Sequence, residues 1–344
     1  MKGKLKWSII IVILLAIVAI IIYSVTKPRI APRGKIELNY SIFFDGTHKN
    51  SKLAAEWAKE IEKQTNGRVK ITMFYSGTLT PADKCYDGVE KGISDIGFSV
   101  LAYTRGKFPL TEVIDLPIGI KSALAATKLI NEYYNKFKPK EFDGTKVMYL
   151  HGHGPGLIHS KKPVNKLEDL KGMKIRCTGM ASKIAKALGA TPVAMPMGDT
   201  YDALSRGVVD ASMAPQESLL GWKWGEVVKF TTEDWDASYS SGMFVVMNKE
   251  KWNALPPDIQ KIIEKINEEW IEKQGRTWDE IDKEGRDYTL KLGNKIIALS
   301  KEENERWTNT VRPLLDEYVK NLKDKGLPGE EALKFCVDQL KKLQ

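Results

Sequence analysis

Arg176 is the residue of this chain best suited to hold an anion. It sits in a short segment at 174–177 that reads as a buried strand. Its planar guanidinium matches a carboxylate through two parallel hydrogen bonds. A buried guanidinium without an anion is very costly. Arg176 therefore needs either a ligand carboxylate or an internal acid, for which Asp210 and Glu217 are the candidates. A second cluster is the run His151-Gly152-His153-Gly154-Pro155-Gly156. On a strand, His151 and His153 point to one side and could share a metal, but such a site needs a third protein ligand. The glycines fit better a backbone crossing with one histidine near a cleft. Cys177 with His153 or His159 could form a thiol nucleophile pair, yet no third, orienting group is apparent. The patterns G-x-x-x-x-G-K-[ST], H-E-x-x-H and G-x-S-x-G do not occur. The expectation is a protein without catalysis, metal or cofactor. An enzymatic alternative would rest on Cys177 or on the His151/His153 segment.

The elements that must position Arg176 follow from periodicity. Residues 35–44 read as a strand, and 51–64 as a helix with Leu53, Ala54, Trp57 and Ile61 on one face. Asn66-Gly67 ends that helix, 69–75 alternates as a strand, 81–90 is helical and 93–100 is a buried strand. This β-α-β-α-β pattern recurs as strand 174–177, helix 181–188, strand 192–195, helix 200–206 and strand 208–213. Two such units about a hundred residues apart predict two α/β lobes. Between them lie a helix over Ala123–Phe137 with Ser122 as its N-cap, and a strand at 146–150 that leads into the glycine-rich run as a crossover. Gly242–Asn248 reads as another crossover strand, and 258–291 as a long helix able to bridge the lobes. A strand at 296–299 follows. Ser300 with Glu303 caps a helix expected to run to about residue 323, before a last helix.

The chain has 344 residues and a net charge of +9, but residues 1–35 hold seven basic groups and no acid, which leaves +2 on the rest. A nucleic-acid binder would keep its basic excess in the folded domain. Residues 7–25 form an uncharged apolar run of nineteen residues, roughly 28 Å as a helix and close to a bilayer core. There is no small-residue cleavage site, so a retained signal anchor is favoured over a signal peptide. Basic residues flank both sides of the run, so orientation is not fixed by charge. The three cysteines, Cys85, Cys177 and Cys336, are too few for a disulfide framework and are expected as buried small apolar groups; a Cys85–Cys177 bridge stays open.

The stretch Asp169-Leu170-Lys171-Gly172-Met173-Lys174-Ile175-Arg176 resembles the hallmark segment of the DctP-type receptors of TRAP transporters. More of the chain agrees: SGTLTPADKCYDGVEKGISDIG at 76–97, LGATPVAMPMGDTYDALSRGVVDA at 188–211 and VVMNKEKWNALP at 245–256. The resemblance implies a two-lobed periplasmic-binding-protein fold of class α/β, each lobe a mixed sheet flanked by helices, joined by crossover strands and a long bridging helix. It implies that Arg176 pairs with a ligand carboxylate, and that a small and a large TRAP membrane subunit, driven by a sodium gradient, receive the ligand. The expected lobes are 35–153 with about 243–280, and 154–242 with about 281–325, after a segment 1–34 and before a C-terminal helix at 326–344. The chain is expected as a monomer on the outer face of the cytoplasmic membrane, tethered by residues 7–25. A receptor that signals to a sensor kinase is the rival output.

The sequence departs from the sialic acid branch of that family. The place of that branch's second arginine falls at about Gly156, and the place of its asparagine at about Ala214. One strong cation in the cleft predicts a monocarboxylate, with an aromatic ring possible because Tyr103, Phe108, Trp222, Trp224, Trp235 and Tyr239 fall in loops near the cleft. The candidate ligand contacts are Arg176, His48, Ser99, Tyr103 and His153, together with Gly156, Met197, Ala214, Gln216 and Trp235. His48 has the alternative role of capping the helix near Ser51.

Overall fold

The computed structural model describes residues 34–344. The apolar run at 7–25 and its expected role as an anchor lie outside the described residues. Among the described residues, no helix is long and apolar enough to cross a membrane.

In chain order the elements are β1 (Ile36–Ile42), α1 (Lys49–Gln64), β2 (Val69–Phe74), α2 (Cys85–Glu90), β3 (Ile96–Val100), α3 (Ala123–Phe137) and β4 (Thr145–Gly152). Then come β5 (Leu157–Ser160), β6 (Lys174–Arg176), α4 (Gly179–Ala187), β7 (Thr191–Val193), α5 (Met197–Ser205), β8 (Ala211–Ala214), α6 (Ser218–Gly221) and β9 (Phe230–Glu233). The chain continues with β10 (Gly242–Asn248), α7 (Lys249–Ala254), α8 (Pro257–Lys291), β11 (Lys295–Ala298), α9 (Lys301–Val311), α10 (Pro313–Lys323) and α11 (Gly329–Leu343).

These strands form two mixed sheets. The first has the order β2-β1-β3-β10-β4 and the second the order β11-β9-β5-β8-β6-β7. In the first, β10 runs antiparallel to β3 and β4. In the second, β5 runs antiparallel to β8 and β9. Each sheet is flanked by helices, so the fold is the two-lobed α/β arrangement expected from the sequence.

Three stretches of chain pass between the lobes. Residues 153–156 carry β4 of the first sheet into β5 of the second, and 234–241 carry β9 back into β10. The third is α8, with 35 residues and a length of about 52 Å. Its buried stripe begins Ile259, Ile263, Ile266, Asn267, Trp270 and continues through Trp278, Ile281 and Gly285, which is helical spacing. Trp57 of α1 donates its indole N–H to Asn267 at 2.9 Å on the first-lobe side. Near the other end, Gly285 lies flat against Gln216: an added Cβ would meet the Gln216 carbonyl at 2.0 Å.

Two expectations need correction. Residues 301–323 are two helices, because Pro313 has no N–H to continue α9 and instead opens α10 at the position where proline is tolerated. The strands β5 and β9, four residues each, were not expected. They lie beside the crossings, where short runs carry little alternation to read. His48 caps α1, with Nδ1 accepting from Asn50 N at 3.1 Å. Ser122 caps α3 as expected, accepting from Ala125 N.

Candidate ligand-binding cleft

Arg176 ends β6 between β7 and β8, with Val193 and Ser212 opposite it. The side chain is 3% exposed. Its Nε donates to the Met195 carbonyl at 2.9 Å, and Nη2 to the Tyr103 hydroxyl at 3.3 Å. The guanidinium carbon lies 5.9 Å from the centre of the Trp224 ring, a cation–π contact. Neither candidate internal acid meets it. Asp210 instead accepts from Lys174 N at 2.9 Å, and Glu217 Oε1 sits 2.6 Å from His48 Nε2. Among the described residues, Arg176 forms no salt bridge.

The guanidinium faces a cavity built from both lobes and both crossings. The first lobe supplies Phe43, Phe44, Val100, Tyr103 and Met243, and α8 supplies Trp278. The second supplies Arg176, Thr178, Met197, Ala214, Pro215 and Glu217. His153, Tyr239 and Ser241 come from the crossing segments. The space there is about 30 Å³, room for one or two water molecules. Tyr103 and Thr178 also border a wider cleft of about 860 Å³. That outer cleft carries both signs of charge, with Asp83, Asp87, Glu112 and Asp115 against Lys84, Arg105 and Lys325. Of these two spaces, the inner cavity is the one that presents, among the described residues, a buried cation without a counter-ion.

The hydrogen-bond network fixes several protons. The Tyr103 hydroxyl accepts from Arg176 and from Met197 N at 3.2 Å. Its own O–H is left free to donate. Burial pushes His153 down to about 4, and the charge of Arg176 adds to this. His153 is therefore neutral, and Nδ1–H donates to the Gly154 carbonyl, which leaves Nε2 as an acceptor. His48 Nδ1 accepts from Asn50 N, so the proton on Nε2 faces Glu217. Glu217 Oε2 is buried and has no partner. Burial also raises Asp115 and Asp282 well above the usual carboxylate range. Each accepts a backbone N–H at 2.8 Å, from Gly242 and Glu217 respectively.

Of the residues expected from sequence, Arg176, Tyr103, His153, Met197 and Ala214 line one cavity. His48 stands one step behind, bonded to Glu217. Four others lie off the cavity. Ser99 turns its hydroxyl to the Ala82 carbonyl at 2.7 Å. Gly156 pairs with Tyr239, and an added Cβ would meet that ring at 2.1 Å. Gln216 packs its backbone on Gly285, and Trp235 is 37% exposed on the turn after β9. Phe43, Phe44, Thr178, Met243 and Trp278 were not anticipated. In sequence, Phe43, Phe44, Met243 and Trp278 look like ordinary core positions, since a cavity wall and a core share the same apolar spacing.

The catalytic alternatives find no support. All three cysteines are free and buried, so the open Cys85–Cys177 bridge does not form. Burial raises Cys177 and pushes Cys85 up to about 12, away from the reactive thiolate. His159 is held by Thr231 and the Ala214 and Pro215 carbonyls. His151 Nδ1 accepts from Trp278, and burial pushes it down to about 3. No group of metal-binding side chains occurs among the described residues.

A family model for bacterial extracellular solute-binding proteins, family 7, matches residues 44–321. Three solved TRAP solute-binding proteins are each similar over 90% of this chain. One from Rhodoferax ferrireducens, in complex with copurified benzoate, is 29% identical with a TM-score of 0.85 over 98% of its length. One from a marine metagenome, specific for aromatic acid ligands and in complex with metahydroxyphenylacetate, is 28% identical with a TM-score of 0.86 over 100% of its length. One from Bordetella bronchiseptica, with bound (R)- and (S)-mandelate, is 29% identical with a TM-score of 0.84 over 100% of its length. The family match takes in every strand except β1, the crossings between the sheets and most of the helices around them. The chain belongs to the bacterial extracellular solute-binding proteins of family 7, the DctP-type receptors of TRAP transporters.

Proposed function

We propose that this receptor captures an organic monocarboxylate, preferably one with an aromatic ring, by closing its two lobes over an anion held on Arg176. The observation that carries the reading is Arg176 itself, a buried cation on the cavity wall without a carboxylate partner among the described residues. A ligand carboxylate would supply the missing anion, and the free Tyr103 O–H would add a second donor to it. In a desolvated site such a pair is far stronger than in water. Phe43, Phe44, Tyr239 and Trp278 offer the ring faces. The absence of a second arginine favours one carboxylate over two, because the Tyr239 ring fills the space beside Gly156. The ligands named for the three solved relatives are all aromatic monocarboxylates, which is consistent with this choice.

The narrow space at Arg176 supports hinge opening as the route of entry, since an aromatic acid needs far more room than one or two waters. The lobes would be 35–153 with about 243–280, and 154–242 with about 281–325, ahead of a C-terminal helix at 326–344. The closed form would deliver the acid to the small and large membrane subunits, without chemical change. Residues 7–25 would hold the receptor on the outer face of the membrane, raising its concentration near those subunits. The test is a thermal-shift panel of organic acids on the full chain. A monocarboxylate should raise the melting temperature, and Arg176→Ala should abolish the shift. A folded Arg176→Ala variant that binds the same acid equally well would refute the anchor.

A further inference from the structure

We infer that the ligand carries a hydrogen-bond donor in addition to its carboxylate, and that Glu217 and His153 receive it. The inference rests on the monocarboxylate reading and narrows it to hydroxylated or N–H-bearing acids.

Glu217 is the other charged side chain on the cavity wall, and its side chain is 2% exposed. His48, which does not line the cavity, takes Oε1. Oε2 remains buried with no donor. A buried carboxyl oxygen in that condition keeps its desolvation penalty until something donates to it. No side chain of the cavity donates to it in this structure. Arg176 and Tyr103 are turned to each other and to the Met195 and Met197 backbone. Tyr239 donates to the Met213 carbonyl at 3.0 Å. His153 adds a second acceptor, because its one proton is already given to Gly154.

The cavity therefore sorts into two chemistries. Arg176 and Tyr103 meet an anion, while Glu217 Oε2 and His153 Nε2 accept a proton-bearing group. An acid with only a carboxylate satisfies the first set and leaves the second unpaired beside a new negative charge. A hydroxyl or amide N–H on the same ligand satisfies both. Sites that hydrogen-bond a substrate donor discriminate strongly against the analogue that lacks it.

The experiment is calorimetric titration of the full chain with matched acids: benzoate, the three monohydroxybenzoates and their fluoro counterparts, and phenylacetate with mandelate. Fluorine resembles a hydroxyl in size and donates nothing. The expected result is at least one hydroxylated acid bound about tenfold or more tighter than its parent and its fluoro counterpart. That ratio should fall toward one in Glu217→Leu and in His153→Leu, and Arg176→Ala should weaken parent and hydroxylated acids alike. The ratio within each variant is the readout, so general loosening of the cleft does not imitate the effect. Equal binding of parent, fluoro and hydroxylated acids in the unmodified receptor, with dependence on Arg176 intact, overturns the donor inference and leaves the monocarboxylate reading standing. A preference that survives in both leucine variants overturns the assignment to Glu217 and His153. Failure of every acid to bind, or binding indifferent to Arg176, overturns the monocarboxylate reading and this inference with it.

Discussion

Tyr103 and Arg176 meet across the boundary between the lobes: the guanidinium donates to the phenolic oxygen at 3.3 Å, and the same oxygen accepts from Met197 N at 3.2 Å. One hydroxyl of the first lobe thus takes two donors of the second. Tyr103→Phe removes both bonds and the free O–H. At about 0.5–1.5 kcal/mol per bond, the dissociation constant for the cognate acid should rise about tenfold. Small-angle scattering should report a larger radius of gyration for the unliganded variant. An unchanged affinity and radius would show that this contact is incidental.

Stability and binding should part company at Arg176. A buried cation with no counter-ion destabilises the unliganded protein. Arg176→Met should raise the unliganded stability by about 1 kcal/mol or more, while affinity for the acid falls at least about a hundredfold. Arg176→Lys should keep part of the affinity, since a point charge replaces the fork. Denaturant melts with and without ligand measure both effects. A less stable, ligand-free methionine variant would contradict the picture of an unpaired charge.

Gly156 is fixed by its neighbour. An added Cβ would lie 2.1 Å from the Tyr239 ring, so Gly156→Ala should cost about 1–3 kcal/mol through overpacking. Tyr239→Ala should relieve much of that penalty in the double variant, giving a clear coupling in a double-mutant cycle. Additive effects would mean that the ring has somewhere else to go.

Asp234 supplies a pH signature. It lies on the crossing after β9, is fully buried, and neither oxygen has a partner. Burial pushes it up to about 7 from an ordinary 3.8. The native state therefore takes up a proton that the unfolded chain releases between those values. The resulting stability is fully present below about 4 and is lost as pH rises through about 7. Its full size is on the order of 4 kcal/mol. The buried histidines act in the opposite sense: His151, pushed down to about 3, and His153 and His159, pushed down to about 4, lose stability as pH falls below 6.5. Asp234→Asn isolates the carboxyl. The melting temperature of the variant minus that of the parent should grow as pH rises from 4 to 8. A flat difference would mean that the carboxyl finds a partner.

The sequence carried most of the fold because its signals are local. Helix starts at Ser122 and the long stripe of α8 are set by side chains a few residues apart. Arg176 was legible for the same reason: a cation inside a buried strand is out of place unless an anion meets it. The pairing of His48 with Glu217 was not legible, since 169 residues separate them and each has an ordinary local explanation. Ser99 shows the converse. It sits on β3 next to the cavity-lining Val100 but off the ligand space, its hydroxyl given to the Ala82 carbonyl, a demand that only the folded chain creates. Pro313 itself marks the break, while Ser300 and Glu303 announce a helix without saying where it stops.

Helix α8 is fastened to the first lobe where Trp57 holds Asn267 and to the second where Asp282 holds the backbone of Glu217. The two fastenings are fifteen residues apart, about 22 Å along the axis. A helix does not stretch, so this separation acts as a rigid splint. Such a splint would resist a straight withdrawal of the lobes and leave a swing as the easier motion. Ligand size would thereby be turned into an angle: a bulkier acid would leave the two halves rotated further apart, with the same span between the fastenings.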